Sequence, residues 1–288
     1  MPTVNISGVN VAYGDSGKGE TMVMLHCSAS SGSQWKALQG AIGNNYRYIT
    51  PDLFDCGKTD PWPGRETLTL AAEAAIVNGL IARFPGPLNI VGHSYGAAIA
   101  LRYAATTQHR IKSLTLIEPV AFQLLRMAGK AEKKNLDEIT EIANQLCLGL
   151  MNGDEWQAMG RFVDYWNGES TWINLPWDTR RKMAPRVRAT ARHFWSTIRE
   201  PLGTDTYHSI RIPTTIISGG CTRQPTRRIA EILASVIPDA NHRVLENGAH
   251  MLPMSHPELV ALAMPGEFAS KSAKAPSPPR GERVLHAA

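Results

Sequence analysis

Ser94 stands between two glycines in the run Gly92-His93-Ser94-Tyr95-Gly96. A serine hydroxyl is a weak nucleophile until a neighbouring base takes its proton, and it attacks only where the chain holds it clear of its surroundings. A sharp turn from a strand into a helix does this. Such a turn needs close backbone packing on both sides, which accounts for a glycine two residues before the serine and two after it. It also aims the N-terminus of the following helix, with its free amides, at negative charge developing beside the serine. The flanks suit the turn: Leu88-Asn89-Ile90-Val91 reads as a strand, and residues 97–105 read as a helix.

The rest of the chain is patterned to build a scaffold around such a turn. Val4-Asn5-Ile6 and Val9-Asn10-Val11-Ala12-Tyr13 alternate apolar and polar positions across Ser7-Gly8, the pattern of a half-buried hairpin. Apolar runs bounded by turn residues at 22–25, 46–49, 114–117 and 214–217 suit strands buried on both faces. Helical periodicity lies between them at 68–81 and, after Pro225, at 229–236. This alternation predicts an α/β fold, a mostly parallel, doubly wound eight-stranded sheet. The rhythm breaks from 120 to 205, where helical segments follow one another without a strand. The expected organisation is a core of 1–119 and 206–269, an inserted helical cap of 120–205, and a flexible tail of 270–288 rich in Lys, Ala, Ser and Pro.

With the serine turn in this context, the chain resembles the α/β-hydrolase superfamily from about residue 4 to about residue 269. The resemblance implies an oxyanion hole made by the amide after the nucleophile, that of Tyr95, and by one from the loop after the third strand. That loop reads His26-Cys27-Ser28, which makes Ser28 the second donor by position, although Cys27 stands where the family commonly has glycine and leaves that identity open. The base is implied on the loop after the last strand. His250 has that place, between a short strand at 244–245 and a helix beginning near His256-Pro257-Glu258. His26 and His93 then have packing or orienting roles, and His109, His193, His208, His242 and His286 belong to the surface or the cap.

The family's commonest third member, an aspartate after the seventh strand, is missing from Ile217-Ser218-Gly219-Gly220-Cys221-Thr222-Arg223-Gln224-Pro225. Glu118 follows the run at 114–117, at the carboxyl end of the sixth strand, from where an acid can reach the same histidine. Haloalkane dehalogenases and zearalenone lactone hydrolases use this placement, and we take Glu118 as the acid. The alternative leaves Glu118 capping the turn at Pro119 or pairing with an arginine, with Glu246 orienting His250; Asp52 and Asp55 read as loop and turn residues. The chain is also similar to the zearalenone-type lactonases at Glu118-Pro119, at 155–160 and at Ser255-His256-Pro257, which implies a lactone ahead of other esters.

The expected activity is a cofactor-free serine hydrolase acting through an acyl-enzyme on a small-molecule ester or lactone. Trp156, Trp166, Trp172 and Trp177 in the insertion read either as an apolar substrate roof or as the cap's own core. Two other readings use the same scaffold: cleavage of carbon–carbon bonds or peracid formation by the same triad, and a low-turnover small-molecule receptor. Serine at the turn, where dehalogenases and epoxide hydrolases of the fold place aspartate, argues against those chemistries. Composition narrows the field further. Hydrophobic residues at 43% and charged ones at 19% exclude wholesale disorder. No apolar run approaches the roughly eighteen residues of a membrane span, and Met1-Pro2-Thr3-Val4-Asn5 opens no secretory signal, so a cytoplasmic protein with no membrane partner is expected. The formal charge is +5, but residues 271–288 hold four basic residues and one acid, leaving a weak nucleic-acid footprint on the body. Cys27, Cys56, Cys147 and Cys221 have no metal-ligand spacing, and no glycine-rich phosphate cradle is present, so neither metal nor cofactor is expected. Nothing in the sequence sets an oligomeric state.

Overall fold

The computed structural model describes residues 1–265; the tail expected at 270–288, and residues 266–269 of the expected core, lie outside the described residues. Eight strands form one sheet: β1 (Thr3–Ile6), β2 (Val9–Gly17), β3 (Glu20–Leu25), β4 (Tyr46–Pro51), β5 (Leu88–His93), β6 (Ile111–Ile117), β7 (Thr214–Gly219) and β8 (Asn241–Leu245). Their order is β1-β2-β4-β3-β5-β6-β7-β8. The β1–β2 and β2–β4 pairs are antiparallel, and every other pair is parallel.

Helices cover both faces, and this is why the central strands carry apolar side chains on both sides. In β3, Val23 and Leu25 enter one core cluster while Met22 and Met24 enter the other. Likewise Leu114 and Leu116 of β6 face one way and Ile117 the other. Successive strand residues point to opposite faces, so a strand sandwiched between helical layers must be apolar at both. The larger layer includes α2 (Leu70–Ile81) and α3 (Tyr95–Thr106); the opposite one includes α1 (Lys36–Ile42) and, near the end of the chain, α13 (Pro257–Ala263), with α12 (Leu252–Ser255) before it.

Between β6 and β7 the chain is helical: α4 (Gln123–Met127), α5 (Lys133–Met151), α6 (Glu155–Asn167), α7 (Thr171–Asn174), α8 (Trp177–Met183), α9 (Val187–Ile198) and α10 (Thr204–Tyr207). Asp154 caps α6 by accepting from the Gln157 amide at 3.4 Å. Two boundaries differ from the sequence pattern for local reasons. The periodicity at 68–81 overruns the helix because Thr69 is its N-cap, accepting from the Ala72 amide, and Leu68 packs instead with Val9, Val11 and Phe54. The helix after β7, α11, begins at Gln224 and runs to Val236, because a proline in the first turn has no amide that the helix would use. Among the described residues no helix is long and apolar enough to cross a membrane.

Candidate active site

Strand register brings the chemistry to one edge of the sheet. His93 lies opposite Ile117, Ile117 opposite Ile217, and Gly219 opposite Leu245, so the turns after β5, β6, β7 and β8 open side by side at the carboxyl ends of the strands. Ser94, just past β5, sits at φ 54°, ψ −114°, a conformation L-residues rarely adopt, and its amide is tied to Ile117 O at 2.9 Å. The flanking glycines are demanded by space: a Cβ on Gly92 would lie 2.4 Å from Gly96 O, and one on Gly96 would lie 2.0 Å from Leu25 O. Glu118, the first residue past β6, is also at positive φ (50°), with its amide on Ile217 O at 2.8 Å.

These turns bring three side chains into line. His250 Nε2 is 2.9 Å from Ser94 Oγ, and His250 Nδ1 is 3.0 Å from Glu118 Oε2. All three residues are buried. The segment after β7 that lacks an acid supplies donors to this one: the Gly219 amide donates to Glu118 Oε1 at 2.6 Å and the Thr222 hydroxyl to Oε2 at 2.5 Å. A carboxylate accepting at Nδ1 keeps the ring proton there and leaves Nε2 free to accept from Ser94. Glu246 is exposed. Asp52 accepts from the Gly32 and Lys58 amides, and Asp55 pairs with Arg192, so both hold loops.

The loop after β3 is held by residues that sequence reading gave only a general role or missed. The His26 Nδ1–H donates to Cys27 O at 2.7 Å, a tautomer set by the Leu53 amide donating to Nε2 at 3.1 Å. The Cys27 amide donates to Gln34 Oε1 at 3.1 Å. Gln34 Nε2–H in turn donates to His93 Nδ1 at 3.0 Å, and His93 Nε2–H donates to the carbonyl of His250 at 2.8 Å. One glutamine therefore links the loop after β3 to the backbone of His250; nothing in its sequence context marks it, because its partners are distant in the chain. The Cys27 amide is thereby occupied. Among the described residues neither the Ser28 nor the Tyr95 amide has a hydrogen-bond acceptor. Burial holds His26 and His93 well below the ordinary histidine value, to about 4 and about 3, and proximity to His250 pushes His93 in the same direction. Burial likewise raises the Cys27 thiol to about 12, so it stays protonated.

A cavity of about 430 Å³ opens over Ser94 and His250. Ser28 and Tyr95 line it with them, and Phe122, Phe162, Val163 and Phe194 form apolar wall. None of the lining residues is Asp, Glu, Lys or Arg. Of the four tryptophans expected as a roof, only Trp166 lines the cavity, its indole stacked on the His250 ring at 3.8 Å between centroids and 22° between planes. The other three pack among themselves. Trp156 meets Trp172 at 5.2 Å and Trp177 at 4.8 Å, with the Arg180 guanidinium over both Trp156 and Trp177. Trp172 is drawn down onto Gly160, where a Cβ would strike its ring at 2.7 Å, and Trp177 remains 61% exposed. His193, on α9, is buried in the cavity wall, stacked on Tyr95 at 3.9 Å.

A model of the alpha/beta hydrolase fold family matches residues 20–257. Among curated relatives, a cis-3-alkyl-4-alkyloxetan-2-one decarboxylase of Xanthomonas campestris pv. campestris is 30% identical over 127 residues, which is 41% of this chain and 42% of that protein. The chain's matches to the first three such relatives span only 38–44% of their lengths. A 2-hydroxy-6-oxo-6-(2'-aminophenyl)hexa-2,4-dienoic acid hydrolase of Metapseudomonas resinovorans is 22% identical over 88% of this chain and 86% of its own. Among solved structures, the alpha/beta hydrolase MGS-M2 from a Medee basin deep-sea metagenome library superposes with a TM-score of 0.76 at 20% identity, over 95% of this chain and 99% of that one.

Proposed function

The chain belongs to the alpha/beta hydrolase fold family, and from that premise we propose that it is a cofactor-free serine hydrolase that cleaves an uncharged, largely apolar ester or lactone through an acyl-enzyme. The observation that carries the reading is the continuous path from Ser94 Oγ through both ring nitrogens of His250 to Glu118, at 2.9 and 3.0 Å, beneath a cavity with no charged carboxylate, ammonium or guanidinium in its wall.

In this mechanism Ser94 Oγ attacks the acyl carbon as its proton passes to His250 Nε2. Glu118 stabilises the imidazolium that results and keeps the ring in place. The face of Trp166 lies against that ring and favours its charged form by cation–π attraction. The carbonyl oxygen, now negative, is held by the Tyr95 and Ser28 amides. Collapse expels the alcohol, which takes the proton from His250; in a lactone the alcohol remains tethered to the acyl group. Water, deprotonated by His250, then attacks the ester of Ser94 and releases the acid. The helices of 120–205 act as the cap that shapes the pocket. The likeness to the zearalenone-type lactonases at Glu118-Pro119, at 155–160 and at Ser255-His256-Pro257 supports a lactone among the possible esters.

A second reading is carbon–carbon cleavage on the same machinery, and one relative is named as a dienoic acid hydrolase. Its named substrate is an acid, and a carboxylate bound in this cavity would lack a cationic partner among the lining residues, at a cost of several kcal/mol. A hydrolysis panel of aryl esters, aliphatic lactones, macrocyclic lactones and vinylogous diketo acids separates the readings. Ser94-dependent release of acid from neutral esters or lactones is the expected result. Turnover of the diketo acids alone would replace it with the carbon–carbon reading.

A further inference from the structure

The loop that carries Ser28 is fastened from two sides, and only one of them belongs to the sheet. From the sheet side, His26 holds the Cys27 carbonyl and Gln34 holds the Cys27 amide. In a trans peptide the N–H points opposite the C=O, so His26, by fixing that carbonyl, also fixes the direction of the Ser28 N–H. The next residue, Ala29, is in the left-handed region at φ 55°, where an alanine does not rest without outside support. That support comes from the inserted helices. Arg186, immediately before α9, donates from Nη1 to Ala29 O at 2.6 Å. His193, two turns further along, shares a hydrogen bond with Ser28 Oγ at 3.1 Å while its ring lies flat on the ring of Tyr95. One side chain thus touches both residues whose amides face the oxyanion in the proposed mechanism. Arg192 completes the attachment through Asp55, in the loop after β4, at 2.7 Å.

We propose that Arg186 and His193 are positioning residues that hold the Ser28–Ala29 turn and Tyr95 in the arrangement that binds the oxyanion, so that the oxyanion hole is complete only when α9 is seated. The catalytic part of this inference rests on the serine hydrolase reading. Its structural part does not. The two residues make no bond to the nucleophile, the base or the acid; they act on the donors. Burial, with a smaller contribution from His26, holds His193 as a neutral ring, to about 3, so this contact persists across the working pH range.

The test compares Arg186→Met with Arg186→Lys, and His193→Phe with His193→Asn. Lysine can still donate to Ala29 O, and asparagine can still reach Ser28 Oγ, whereas methionine and phenylalanine fill the space without the bond. The first readout is amide hydrogen exchange of residues 27–31 in the full chain. It is expected to quicken by about fivefold or more in Arg186→Met and His193→Phe, and to return toward the parent rate in the other two. The second is ester hydrolysis: kcat is expected to fall about 10- to 100-fold with KM changed less than about threefold, and the ester-to-thionoester rate ratio is expected to shrink, since sulfur accepts these hydrogen bonds poorly. Unchanged exchange, a full kcat, or a loss confined to KM would each overturn the proposal. Should no ester be cleaved, or should Ser94→Ala retain hydrolysis, the serine hydrolase reading fails while the exchange comparison still decides whether α9 holds the turn.

Discussion

Glu118 receives three hydrogen bonds, one from His250 and two from the Gly219 amide and the Thr222 hydroxyl. A glutamine there has the right shape, but its NH2 group must face one of these donors, so Glu118→Gln loses a bond as well as the charge that stabilises the imidazolium. Initial rates are expected to fall about 10²- to 10⁴-fold, whereas exposed Glu246→Gln is expected to leave them within about twofold. The reverse order would move the acid to the histidine's own loop. At this scale the meeting of Ser94, His250 and Glu118 was legible: Ser94 and Glu118 directly follow apolar strands, and His250 stands on the loop after the last strand. Their supports were not. Gln34, Gly219 and Thr222 act through an amide side chain, a backbone N–H and a hydroxyl on partners far along the chain, and such residues look ordinary in a sequence. The two readings of the tryptophans could not be separated in the sequence for a similar reason: composition marks large apolar rings but not whether they face a cavity or, as with Trp156, Trp172 and Trp177, one another.

The element that carries Ser94, the nucleophile of the proposed mechanism, is a strained joint between β5 and α3, closed over two glycines. Gly96→Ala would place a Cβ 2.0 Å from Leu25 O, in the middle of the sheet, where backbone cannot give way. It is expected to cost several kcal/mol or prevent folding, as seen by denaturant unfolding or by soluble yield. Ser94→Gly works in the other direction. Relief of the positive φ at 94 is expected to raise stability by about 1 kcal/mol while abolishing hydrolysis; equal or lower stability would mean the turn stores no strain. The strands around this joint were readable from apolar runs because two helical layers bury both of their faces. Helix ends were less so, since Thr69 and Pro225 set them by capping and by a missing amide rather than by periodicity.

Across the whole molecule, buried titrating groups tie stability to pH. His26, His93 and His193 are held neutral, at about 4, 3 and 3, against an ordinary value of 6.5. Their contribution is complete above pH 6.5 and is lost as pH falls toward those values, because the unfolded chain binds protons that the folded one refuses. Glu73, raised to about 8 by burial, has the opposite sign: its contribution is complete below 4.5 and is lost as pH rises through about 8. Between pH 6.5 and 4.5 these buried histidines, joined by half-buried His242, outnumber the one glutamate, so unfolding takes up protons on balance and stability is expected to fall as pH falls. Urea unfolding at pH 6.5, 5.5 and 4.5 measures this, and a flat profile would contradict it. The central claim is tested most directly by treating the protein with a serine-directed aryl phosphonate, mapping the adduct by peptide mass spectrometry and assaying ester hydrolysis in parallel. The account predicts a single adduct on Ser94, loss of activity in step with labelling, and neither adduct nor activity in Ser94→Ala. An adduct on another residue, or hydrolysis that survives in Ser94→Ala, would contradict it.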